Sequence, residues 1–163
     1  ELSVEDVDTI YQVDVLGTLL MAQVVGAGMV EQREGAMVFL SSAHATQTYP
    51  SRTPYVMSKA AICGLARALA VEWGPYNIRV NSVSPWQVSG HTRSTAVVAQ
   101  EQAQTGEDTE TLYRRRAPLG RLVTPEDVAS TVLWVAENRS MTGQDVRIDC
   151  GQSASMWHRA FPA

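Results

Sequence analysis

Three strand-length apolar runs, each separated from the next by a helix-like stretch, constrain this chain most. They are "AMVFLSS" (36–42), "IRVNSVSP" (78–85) and "DVRIDCG" (145–151). The first follows Gly35, the second is rich in β-branched residues and stopped by proline, and the third follows the turn at Gly143. Ser3 with Asp6 three residues on predicts a short capped helix, and a long, mostly apolar helix follows from about Val13 to Gln32. Alanine and leucine fill a further helix from Tyr55 to Trp73, closed by Gly74-Pro75. Thr124-Pro125-Glu126-Asp127 supplies an N-cap, a first-turn proline and an acid, so a helix is expected from there to about Glu137. Residues 86–116 show little periodicity and are expected to form a flap with one weak helix near 94–104. Strands that recur after helices need crossover connections, which build a parallel sheet. The fold class is α/β, and without repeats or a linker the chain is one domain over 1–163, with a tail at 152–163.

With 163 residues, 45% of them apolar, the chain can bury one sizeable core. A net charge of −4 argues against a nucleic-acid surface, and the three-residue basic run Arg114–Arg116 is expected to be a solvated or ion-paired loop. Cys63 and Cys150 make neither a disulfide framework nor a metal spacing, so no metal is expected and a reducing, cytoplasmic setting is. Val15–Val30 runs sixteen residues without a charge. That is short of the ~20 needed to span a bilayer, so a buried helix is expected rather than a membrane partner. No leader pattern opens the sequence, which starts on Glu1, so the natural start is expected elsewhere.

"VVGAGMVEQ" (24–32) imitates a dinucleotide-binding glycine turn. The pattern needs glycine where Glu31 stands and an acid about twenty residues on, whereas nothing from Gly35 to Val71 is acidic. Close helix packing explains these glycines better. "SSAHATQTYPSRTPYVMSK" (41–59) is the stronger candidate site. Tyr55 and Lys59, four apart, share one face of a helix. A free tyrosine ionises near pH ~10, and a fixed ammonium one turn away favours the phenolate. Such a pair moves a proton to or from an alcohol or carbonyl oxygen. Ser42 ends the first strand, on the side of a parallel sheet where ligands bind, and its hydroxyl could hold the same oxygen.

"MVFLSS", "YVMSKAA", "IRVNSVSP" and "PLGRLVTPEDVASTVLWVAENRSMTGQDVRIDCG", in this order, resemble the short-chain dehydrogenase/reductase family over nearly the whole chain. The serine thirteen residues before the tyrosine also fits. The resemblance implies the second half of a Rossmann-like doubly wound sheet and an alcohol–ketone oxidoreductase using NAD or NADP. By the same resemblance Ser42 polarises the substrate oxygen, Tyr55 is the general acid/base, and Lys59 supports the tyrosine and the nicotinamide ribose. Asp14, in "VDVLG", stands where the family usually has an asparagine that supports a relay to the lysine. Pro85, Trp86 and Val88 fall where the backbone meets the cofactor, and Ala43, Trp86 and His91 fall with Ser42 on the substrate side. Pro85-Trp86 replaces the family's Pro-Gly, so Trp86 either closes the approach to the nicotinamide, caps the substrate pocket or packs under the flap.

The family's glycine-rich first half does not precede Glu1, which would leave "MVFLSS" beside an unpaired edge. A separate N-terminal segment or a longer chain is therefore expected to supply it. A small-molecule alcohol or ketone is the expected partner, and a homo-oligomer, dimer or tetramer, the expected assembly. The alternative is a non-catalytic or lyase-type relative acting as an oligomer subunit.

Overall fold

In a computed structural model of the chain, residues 3–48, 50, 52–90, 102–103 and 106–154 are described. Three parallel strands form one sheet in the order β1 (Gly35–Leu40), β2 (Ile78–Pro85), β3 (Asp145–Ile148). Gly35 pairs with Ile78 at one end and Leu40 with Val83 at the other, and Ser82 to Pro85 pair with Asp145 to Ile148. The third strand is shorter than its sequence run, because Asp149 to Gly151 turn away, with Cys150 and Gly151 at positive φ.

Helices α1 (Val4–Ile10) and α2 (Gly17–Gln32) are one continuous 29-residue rod, joined by a π-helical segment, Tyr11–Leu16. Ser3 caps its start by accepting from the Asp6 N–H at 3.0 Å. The sequence suggests two helices because it carries no mark for the π segment, where the Gly17 N–H reaches back five residues to the Gln12 carbonyl. Helix α3 (Thr53–Trp73) begins two residues earlier than expected, with Pro54 in its first turn. Trp73 is followed by a tight turn, Gly74–Tyr76, and Asn77 at positive φ.

Alternation along β2 separates the two sheet faces. Ile78 and Val80 join Ala22, Phe39, Ile62, Ala66, Leu69 and Ala70 in a core between the sheet and helices α2 and α3. Arg79 points to the other face, where its guanidinium caps helix α5 (Pro125–Glu137) by donating to the carbonyls of Val135, Ala136 and Asn138. Thr124 and Asp127 close the predicted capping box at the start of α5, with side-chain to backbone bonds of 3.1 and 2.9 Å. Asp127 also accepts from Arg121 at 2.5 Å. That hydrogen bond, with the Thr124 N–H behind it, holds the Asp127 carboxyl down at about 2.

Two expectations about burial change. β1 is an edge strand, so most of it is half-buried and Leu40 is 55% exposed, while central β2 carries the buried run Val80 to Ser84. Helix α2 buries only Ala22 and Gly26, and Leu20, Met21, Val24 and Val25 stand exposed. By length and composition the rod Val4–Gln32 is long enough to cross a bilayer, more than its uncharged sixteen residues suggest. Its small residues nonetheless dock on the domain. A Cβ at Gly26 would sit 2.3 Å from the Trp73 ring, whereas one at Gly28 would meet nothing. Gly26 thus answers the glycine pattern as a packing contact, inside a helix and not in a phosphate-binding turn.

The expected helix near 94–104 and residue His91 lie almost wholly or wholly outside the described residues. The later part of the flap is ordered instead as α4 (Thr109–Arg116), capped by the Asp108 carboxylate at the Thr111 N–H. Arg114 to Arg116 form its last turn rather than a loop, and Arg114 and Arg115 pair with Glu110 and Glu107.

Candidate active site at the ends of β1 and β2

Ser42 lies two residues beyond β1 rather than at its end, and it caps a 3₁₀ turn, Ala43–Ala45. Its Oγ accepts from the His44 N–H at 3.2 Å and the residue is buried. A hydroxyl has one hydrogen and two lone pairs, so this cap leaves the hydrogen to donate to a ligand oxygen. Neighbouring Ser41 donates to the Lys59 carbonyl at 2.9 Å, which ties the end of β1 to the second turn of α3.

Tyr55 and Lys59 share a face of α3 as their spacing requires. The Lys59 ammonium stands over the Tyr55 ring, 5.4 Å from its centroid. The same Nζ pairs with Asp14 Oδ2 at 3.3 Å, with the two side chains 14% and 23% exposed. Ser58 donates to that carboxylate oxygen at 2.7 Å. Asp14 comes from the π segment, and single π turns inside α-helices often mark functional positions. Its carboxylate thus lies against the same ammonium that stands over the tyrosine ring.

Pro85 ends β2, and Trp86 continues the ladder by donating its N–H to the Ile148 carbonyl at 2.9 Å. The Trp86 ring stacks on His44, with centroids 4.8 Å apart and planes at 26°. His44 also meets Tyr55 edge-on at 5.6 Å. Val88 is fixed farther along by a parallel bridge to Val123. Ala43 is 1% exposed and so offers little surface to a ligand. Ser42, Tyr55, Lys59, Asp14 and Trp86 are therefore linked through direct contacts or through His44, while Val88 stands outside that cluster. Sequence reasoning missed His44 and Ser58. A histidine two residues after the serine was the available signal for the first, and nothing local marked the second.

The family model described as enoyl-(acyl carrier protein) reductase matches residues 1–153. The chain belongs to the short-chain dehydrogenase/reductase family. Among its relatives, an NAD-dependent glycerol dehydrogenase of Listeria innocua is 33% identical over 88% of this chain and 54% of its own length. A D-threitol dehydrogenase of Mycolicibacterium smegmatis is 32% identical over 93% of this chain and 56% of its own. A gluconate 5-dehydrogenase of Burkholderia cenocepacia, solved with NADP and tartrate, has the same fold, with a TM-score of 0.84 at 20% identity over 95% of this chain and 59% of that one. This short-chain dehydrogenase/reductase chain thus spans little more than half the length of the relatives it matches. The three-stranded parallel sheet with flanking helices is the corresponding part of the Rossmann-like fold.

Proposed function

We propose that the chain carries the catalytic part of an NAD- or NADP-dependent oxidoreductase that interconverts an alcohol and a ketone, with a small polyol or sugar alcohol as the substrate class. The observation that carries this reading is the Lys59 ammonium 5.4 Å over the Tyr55 ring, with Ser42, two residues beyond β1, capping the turn whose His44 meets that ring. The glycerol and D-threitol dehydrogenases among the relatives support it, because each is named for a small polyol. An ammonium, a phenol and a serine hydroxyl suit the hydroxyl-rich ribose end of a nicotinamide nucleotide, and no glycine-rich phosphate turn is found among the described residues. The bound nicotinamide supplies or accepts the hydride. Ser42 holds the substrate oxygen by its hydroxyl hydrogen. Tyr55 gives that oxygen a proton during reduction and takes it back during oxidation. Lys59 supplies positive charge near the phenol oxygen and a donor toward the ribose.

The test is Tyr55→Phe, which should lower turnover of a polyol such as glycerol or threitol ~10²-fold or more. Ser42→Ala should also impair turnover. Near-normal rates in the tyrosine variant would overturn the assignment. A second reading, a subunit without turnover, has one point in its favour: Asp14 draws the ammonium that Tyr55 needs. It is supported if the wild-type chain quenches no tryptophan fluorescence on addition of NADH or NADPH. The uncovered apolar residues of α2 and α3, among them Leu20, Met21, Val24, Met57 and Val71, support a homo-oligomer. The two free cysteines suit a cytoplasmic setting. A clean monomer by light scattering would reject the oligomer.

A further inference from the structure

We infer that His44 is a positioning residue whose ring sets where Trp86 and Tyr55 stand at the site, and thereby what size of alcohol reaches the tyrosine. This rests on the oxidoreductase reading for its consequence, though not for its geometry. His44 is 8% exposed, on a turn that Ser42 caps through the His44 N–H. Its Nδ1 is 3.1 Å from the Thr48 hydroxyl, so the ring is held at its rim as well as at its backbone. One flat side of the imidazole lies on Trp86, and Tyr55 meets it edge-on. A single buried ring therefore touches the acid/base and the residue that replaces the usual glycine after β2, while the backbone N–H of the same residue binds the serine proposed to hold the substrate oxygen.

The backbone fixes the Trp86 N–H on Ile148 but leaves its side chain a choice of rotamers. The stack on His44 favours the one observed. Truncating the imidazole would leave a gap between Tyr55 and Trp86, and either ring could swing into it. Misplacing an acid/base by a fraction of an ångström is costly in rate, and moving a wall residue changes which substrates fit. His44 acts through its neighbours in both respects.

The experiment compares His44→Ala, His44→Leu and His44→Phe in the full chain. Leucine keeps the volume without a planar ring, and phenylalanine keeps the ring without the Thr48 bond. The first readout needs no substrate: acrylamide quenching of Trp86 fluorescence, taken as the difference from Trp86→Phe. It should rise about twofold in the Ala and Leu variants and stay near wild type in Phe. The second readout is kcat/KM for a three- or four-carbon polyol against a bulkier secondary alcohol. The Ala and Leu variants should lose about tenfold or more on the small polyol and gain relative activity on the bulky one, while Phe stays within about threefold. Unchanged Trp86 quenching in both Ala and Leu would overturn the inference. So would a Phe variant as impaired as Ala, because the ring nitrogen rather than the stack would then matter. If the full-length wild-type protein, with its nucleotide-binding segment, turns over neither alcohol, the oxidoreductase reading fails on its own, and the quenching result still decides whether His44 places Trp86. Should His44→Ala not fold, His44→Leu carries both readouts.

Discussion

Gly26 and Gly28 lie two residues apart in α2, on nearly opposite faces, and they should respond to the same substitution in opposite ways. Replacing either by alanine removes the entropic penalty of glycine in a helix, worth about 0.8–1 kcal/mol. At Gly28 nothing lies within 4 Å of the new Cβ, so the full gain should appear as stability. At Gly26 the Cβ would stand 2.3, 2.7 and 2.8 Å from three carbons of the Trp73 ring. Relieving that overlap costs about 1–3 kcal/mol. The lower part of that range applies, because Trp73 lines a groove between α2 and α3 into which its ring has room to swing. The propensity gain is common to both variants, so their difference isolates the clash. For a chain of this length the resulting difference of about 1–2 kcal/mol separates the two melting temperatures by roughly 2–8 °C. Thermal unfolding followed by far-ultraviolet circular dichroism should place G28A above wild type and G26A clearly below G28A. Equal stabilities for the two variants would mean that α2 does not sit on Trp73 as described.

Asp14→Asn should leave the Ser58 bond in place and cost little stability. Both changes remove the counter-charge of Lys59, but Asp14→Ala also removes the acceptor for Ser58 and Lys59 in a mostly covered site and should cost about 2 kcal/mol by urea unfolding. Equal costs from the two would show that the lost negative charge, common to both, and not the acceptor oxygen that only asparagine keeps, sets the effect. Asp127 ionises at about 2 in the folded chain and at 3.8 when free, so its contribution to stability is complete above about pH 4 and is lost as the pH falls through 2. The stability gap between wild type and Asp127→Asn should accordingly shrink from pH 5 to pH 2, and a gap independent of pH would refute this.

The strand–helix alternation, the capping of α1 and α5 and the one-face placement of Tyr55 with Lys59 were all legible in the sequence. They depend on neighbours within a few residues: apolar periodicity, a serine or threonine three residues before an acid, and a spacing of one helical turn. The family motifs added the likeness of Ser42 and Asp14 to known site positions. Tertiary structure decided the rest. Asp14 reaches Lys59 only because a π segment turns its carboxylate inward and α3 packs against that segment. His44 comes between Tyr55 and Trp86 because the turn after β1 and the end of β2 stand side by side in a parallel pair, where no periodicity reveals which side chains meet. The apolar run of α2 reads as core, yet most of it stands uncovered, because hydropathy records what a side chain avoids and only the packing of neighbouring elements determines what covers it.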